Sequence, residues 1–329
     1  MDRREFLAGA AAGAFALAYD PLALAAPAKG SPVALVTADL ESHVVVVDLG
    51  TGRLVRRIRT GPGPRAIEHV RGPFGSGVLV AHTQHGFVTL IGAESLSVRA
   101  ELDGFEEPRY AAGRPVRRFA GEPVLAYLTD SAAEEVVTVD VLGAGKVLWR
   151  ARVPGPARHI SVSPDGRTIW TALGSKAARV AVLDASDPRR PRLMRTIAPP
   201  FLAHDVVFGP DGRTVWVTSG DERLIALYGR DGRILRTLPA GAPPQHVAFS
   251  RGKAFVASGD DGTLRRHRLD GALVREARVP VGSYNVTFGG GRVVSPSLGR
   301  GTVSVLDWNG RVRAVRKIAR AAHDACVVG

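Results

Sequence analysis

The sequence predicts an all-β protein, a seven-bladed β-propeller with four antiparallel strands in each blade, and three observations predict it. A short segment made of a small or turn residue, two mostly polar residues and an apolar run recurs seven times, most clearly as Pro244-Gln245-His246-Val247-Ala248-Phe249. The second polar position falls at Ala66, Tyr110, His159, Asp205, His246, Asn285 and Asp324, at intervals of 44, 49, 46, 41, 39 and 39 residues. Between these points the chain consists of short β-branched runs broken by Gly, Pro, Asp and Asn, with no helical periodicity of useful length. Such runs are the all-β pattern, and a period of about 40–50 residues with four strands per unit is that of a propeller blade.

The first residues read as a targeting segment. Asp2-Arg3-Arg4-Glu5-Phe6-Leu7 precedes an alanine-rich apolar run that extends to Leu17, and Ala23-Leu24-Ala25 offers small residues for cleavage. The paired arginines followed by Phe6-Leu7 resemble the twin-arginine (Tat) export signal, which implies an extracytoplasmic protein, periplasmic, envelope-associated or secreted. Asp20 and Pro21 interrupt the apolar run, short of the roughly 20 residues a spanning helix needs. The expected organisation is a Tat signal over residues 1–25, a linker over 26–32 and the propeller over 33–329, as a monomer with no transmembrane segment in the mature chain. Losing two arginines (Arg3, Arg4) and three acids (Asp2, Glu5, Asp20) with the signal moves the formal charge from +13 to +14.

Within the propeller, Leu35-Val36-Thr37-Ala38, Trp170-Thr171-Ala172-Leu173, Trp216-Val217-Thr218-Ser219 and Phe255-Val256-Ala257-Ser258 read as copies of a second strand. Val44-Val45-Val46-Val47-Asp48, Val136-Val137-Thr138-Val139-Asp140, Val180-Ala181-Val182-Leu183-Asp184 and Thr302-Val303-Ser304-Val305-Leu306-Asp307 read as copies of a third. Their terminal aspartates read as turn formers. Pro164-Asp165-Gly166-Arg167-Thr168 and Pro210-Asp211-Gly212-Arg213-Thr214 are near-identical turns, in which Asp-Gly accommodates positive φ. The repeat phase starts the ring on a second strand, Val33 to Ala38, and ends it on a first strand, Asp324 to Val328. The last strand is therefore expected to complete the N-terminal blade and remove an open edge.

The motif carried by residues 156–184 and 203–240, with Ser/Gly-Pro-Asp-Gly-Arg-Thr, Trp-Val-Thr-Ser and Val-x-Val-h-Asp in sequence, resembles the YVTN family of β-propeller repeats. The resemblance extends over essentially the whole mature chain. Blade three departs most, because a basic stretch, Arg114-Pro115-Val116-Arg117-Arg118, is inserted between Gly113 and Gly121. The family implies that function sits on the face where each first strand begins.

On that face the first strands line the central channel, so the seven polar pairs form a ring. The ring is expected to carry Arg65, Arg109, Tyr110, Arg158, His159, His204, Asp205, Gln245, His246, Tyr284, Asn285, His323 and Asp324. His43, His82 and His85 fall beside second-to-third-strand loops of the same face, and His69 and His267 elsewhere. Three readings share the ring. Converging imidazoles and carboxylates suit zinc, copper or a similar divalent ion, with His204, His246 and His323 and Asp205 or Asp324 as ligands. Arg65, Arg109 and Arg158 suit a small or anionic ligand, since arginine binds carboxylate and phosphate through two parallel hydrogen bonds. The same residues would also solvate a water-filled channel. Glu106-Glu107, just before Pro108, is the best candidate for a carboxylate pair that reaches the same mouth.

Composition narrows the classes. Cys326 is the only cysteine, so there is no intrachain disulfide framework, and no Cys-x-x-Cys-His occurs, which excludes covalent c-type haem. No Gly-x-Ser-x-Gly elbow or nucleotide-binding loop occurs. Arginines concentrate on expected fourth strands and their flanks (Arg53, Arg56, Arg57 and Arg59; Arg189, Arg190, Arg192 and Arg195; Arg311, Arg313 and Arg316), a basic belt that deters edge pairing and could meet an anionic envelope polymer. Aromatic content of 6% is low for single-stranded nucleic-acid binding, which relies on stacking. The expectation is a ligand-binding or protein-interaction module acting on a small molecule or protein at the channel face. The alternative is a metal-dependent hydrolase, lactonase or lyase at the same mouth.

Overall fold

The computed structural model describes residues 31–72, 75–115 and 123–329. The targeting segment, most of the linker and the later part of the blade-three basic stretch lie outside the described residues. Seven four-stranded antiparallel sheets form the ring, one per repeat. In blade five the strands run from the channel outward in chain order: Val206–Phe208, Thr214–Thr218, Leu224–Gly229 and Ile234–Pro239.

The second and third strands read as continuous apolar runs because both of their faces are covered. Val33–Ala38 is buried throughout and His43–Asp48 nearly so, since each blade is sandwiched between two others. Among the described residues there are seven hydrophobic clusters, one for each pair of neighbouring blades. Trp170 fills the interface between blades four and five, and Trp216 that between five and six. Outer strands such as Arg192–Ile197 lie open to solvent, and much of the expected basic belt lies on them, with Arg56, Arg57 and Arg59 on Leu54–Arg59 and Arg313 and Arg316 on Val312–Lys317, while Arg53, Arg189, Arg190 and Arg311 flank them.

In every blade the pairing between third and fourth strands contains a register shift, as between Val46 and Val47 in blade one and between Val305 and Leu306 in blade seven. A bulge at this place adds local twist, which turns the outer strand relative to the channel axis. The third-strand aspartates do form turns: Asp48 Oδ1 accepts from the Thr51 N–H at 2.7 Å, and Asp307 Oδ1 accepts from Asn309 and Arg311. Cys326 is a buried core residue.

The ring closes as the repeat phase requires. Ala322–Val328 is the innermost strand of blade one and pairs with Val33–Ala38, with Val33 opposite Val328 and Leu35 opposite Cys326. The loop feeding this strand depends on Gly301, which has φ +59° and whose N–H donates to the Ser297 carbonyl. A Cβ there would lie 2.1 Å from the Ala319 carbonyl oxygen. Gly301→Ala should therefore lower stability by roughly 2–3 kcal/mol, read as a loss in denaturation midpoint at unchanged m-value. No helix among the described residues is long and apolar enough to cross a membrane.

Candidate functional site

Each innermost strand begins at the channel mouth, so the two polar positions of each repeat stack as two rings. The first ring is Arg65, Arg109, Arg158, His204, Gln245, Tyr284 and His323; the second is Ala66, Tyr110, His159, Asp205, His246, Asn285 and Asp324. Second-strand threonines hold the rings in place. Thr218 Oγ1 accepts from the Asp205 N–H of its own blade and donates to the Gln245 carbonyl of the next. Thr129 does the same between Tyr110 and Arg158, and Thr37 between Asp324 and Arg65.

The second-ring acids fasten neighbouring blades. Asp205 Oδ2 accepts from Val247 N–H at 3.2 Å, and Asp324 Oδ2 accepts from Ile67 N–H at 3.0 Å. Asn285 Nδ2 donates to the His323 carbonyl. Gln245 accepts from Gly259 N–H and donates to the Gly220 carbonyl, and the Tyr284 hydroxyl donates to Asp260. These side chains shape the mouth chiefly by holding backbone.

Three histidines converge. One nitrogen from each of His159, His204 and His246 lies within 4.8 Å of the others. Their rings stand 4.6 Å apart for His159 and His204, 4.7 Å for His159 and His246, and 5.4 Å for His204 and His246. His323, expected among the ligands, turns instead to the Arg65 carbonyl, 3.0 Å from its Nδ1. His159 stands in its place, because blade four adjoins blade five while His323 enters from the far side of the ring. Asp205, the expected carboxylate ligand, lies behind His246, with Oδ2 3.4 Å from His246 Nδ1.

The tautomers favour ligation. His204 Nδ1 donates to the Ser175 carbonyl at 3.1 Å, which leaves Nε2 a lone pair. The Asp205 carboxylate stands 3.4 Å from His246 Nδ1, on the side from which a carboxylate orients a metal-bound histidine. His159 is 1% exposed, and neither ring nitrogen has a hydrogen-bond partner; the His204 backbone approaches it without normal geometry. A buried imidazole with two unmet nitrogens is costly unless something bonds it. Burial, reinforced by the other imidazoles, holds His159 well below the usual histidine range and brings His204 down to about 4. Both are therefore neutral at pH 7, as a ligand must be. The residues present thus fit a metal ion: a tetrahedral zinc with nitrogens at about 2.0–2.1 Å needs them roughly 3.3 Å apart, a contraction within side-chain reach.

Below this layer the channel opens into a cavity of about 310 Å³ lined by Glu68, Tyr110, Ser161, Asp205, Asn285 and Asp324 among others. The Tyr110 ring packs 4.4 Å from His159 and 5.4 Å from His246. Burial, then the nearby Asp324 charge, pushes Glu68 up to about 8, and burial raises Asp324 to about 6. Sequence reasoning missed Glu68, which lies beside His69 in the first strand Ala66–Val70. It also missed the stapling threonines, whose signal was their recurrence at Thr37 and Thr218. Glu107 reaches the mouth by pairing with Arg109. His82 is structural: Nδ1 donates to the Pro62 carbonyl, Nε2 meets the Thr89 hydroxyl, and the ring stacks on Phe87. His69 lies on the innermost strand of blade two and bonds the Val327 carbonyl.

No protein-family model matches the chain, and no curated protein matches it. Solved structures do. Hydrazine synthase from Kuenenia stuttgartiensis aligns over 83% of this chain and 91% of its own, with TM-score 0.70 and 15% identity. A putative 6-phosphogluconolactonase from Bacteroides fragilis aligns over 93% and 100%, with TM-score 0.70 and 10% identity. A streptogramin B lyase aligns over 80% and 86%, with TM-score 0.63 and 12% identity. What they share with this chain is the fold. At such identities a common ring carries no common chemistry.

Proposed function

We propose that this protein is a metal-dependent propeller of YVTN type, exported by the Tat route, whose ion sits on His159, His204 and His246 and engages a small-molecule ligand at the channel mouth. The observation that carries this reading is the convergence of three imidazoles, one of them buried with both nitrogens unmet. Three histidines leave a fourth position open, the arrangement of a catalytic rather than a structural zinc site. Zinc or copper suits the donor set. Such an ion supplies Lewis acidity toward a bound oxygen or water.

Of the two uses of this mouth, Glu68 favours hydrolase, lactonase or lyase chemistry over binding alone. Its carboxyl holds a proton near neutral pH within the cavity that His159 lines, which is the state a general acid requires. The Arg3-Arg4-x-Phe6-Leu7 signal supports export, and the basic outer strands support contact with anionic envelope polymer.

Metal analysis after dialysis against zinc or copper should find one equivalent per chain. His159→Ala should weaken binding by at least about a hundredfold with the metal-free melting temperature preserved or raised. A protein that takes up neither ion, or a His159→Ala variant that binds as tightly as the wild type, would overturn the reading.

A further inference from the structure

Arg65, Arg109 and Arg158 occupy the first polar position of blades two, three and four and curve around one side of the mouth. Two of them are balanced. Arg65 Nη1 lies 2.8 Å from Asp39 Oδ2, and Arg109 Nη2 lies 2.5 Å from Glu107 Oε1. Arg158 has no carboxylate partner among the described residues, and its Nε is shielded from water with nothing to bond. It immediately precedes His159 on the same strand, Ala157–Val162.

The charges crowd. Burial, then the Arg158 charge, lowers Arg109 below the usual arginine range, with Glu107 opposing and Arg65 adding to the effect. The Arg158 charge also contributes to holding His159 and His204 neutral. A divalent ion on three neutral imidazoles would place two more positive charges beside an uncompensated guanidinium, with Asp205 already committed to His246 and to Val247 N–H. Partly buried charge of one sign requires a counter-charge.

We propose that the ligand which completes this site carries an anionic group with paired oxygens, a carboxylate or phosphate, held with one oxygen toward the open metal position and the other on Arg158. The planar guanidinium fork matches such a group. This rests on the metal reading above. Arg65 and Arg109, each tied to its own carboxylate, shape the rim and add little to the affinity. Arg158 is the selecting residue.

The test uses the full chain loaded with Co(II), whose visible spectrum reports ligands on the ion. Acetate and methyl phosphate are titrated separately, and whichever shifts the spectrum saturably names the group. Arg158→Gln should raise the Kd for that anion at least about tenfold while cobalt still binds, as tightly as in the wild type or more so, because a like charge near the ion is removed. Arg158→Lys should fall between the two, and Arg65→Gln should titrate close to wild type. A spectrum that neither anion changes, or an Arg158→Gln protein that titrates as wild type, overturns the proposal. Failure of cobalt to bind sinks the metal reading separately. Calorimetry of the metal-free chain with the same anions then decides for the arginine: binding lost in Arg158→Gln supports it, and no binding or unaltered binding overturns it.

Discussion

Deleting Asp324–Gly329 should leave a chain that does not fold to a soluble monomer. The segment contains most of the innermost strand of blade one, paired along Val33–Ala38. Ala325 and Val327 face the cluster between blades seven and one, while Cys326 and Val328 face the one between blades one and two. All four are at most 4% exposed. At about 1.5–3 kcal/mol for a large aliphatic side chain and less for alanine, their loss approaches roughly 6–8 kcal/mol, comparable to the whole stability of a typical domain. Asp324 also caps the next blade through Ile67 N–H. Removing it uncovers the long apolar edge of Val33–Ala38, a template for aggregation. Size-exclusion chromatography and thermal melting check this. A soluble truncation with a cooperative melt would show that closure by this strand is dispensable.

The metal-free protein should be most stable near pH 6.5–7 and lose stability in both directions, for opposite reasons. His82 and His323 are buried and neutral: burial lowers His82 to about 4 and holds His323 well below 6.5. A base whose folded pKa is depressed contributes stability that is present above its unfolded pKa, about 6.5, and lost as pH falls toward the folded value. His159 and His204 act in the same sense. Glu68 acts in the other. Its pKa rises from 4.5 to about 8 on folding, so the unfolded chain releases that proton first and stability declines from about pH 4.5 to 8. Asp324, raised to about 6, opposes the histidines only at the acid end. Glu68→Gln should raise the melting temperature by roughly 2–4 °C at pH 8 and leave it nearly unchanged at pH 4.5. The same gain at both pH values would show that Glu68 is not the group that titrates.

The fold was legible because a propeller blade is a local object. Its strands are consecutive, its turns announce themselves through Asp-Gly and Asn-Gly, and its period can be counted between polar pairs such as Gln245-His246 and Tyr284-Asn285. The bulges between third and fourth strands were not legible, because a register shift changes no residue type. The site was legible only as a ring of candidates. The ring positions of His159, His204 and His246 can be read from the repeat, but which of them meet depends on how far each side chain reaches across the channel.

The sequence by itself determined an all-β, seven-fold repeat that closes through its last strand, together with the set of polar pairs facing the mouth. Repeat spacing and hydrophobic runs are properties of the chain within one blade, so they need no third dimension. Only the tertiary structure decided that His159 replaces His323 in the cluster, that Asp205 and Asp324 fasten blades, and that Arg158 alone of three arginines lacks a partner. Those facts depend on contacts between blades: His159 and His204 are 45 residues apart, Arg65 and His323 far more. No spacing rule encodes where such side chains come to rest.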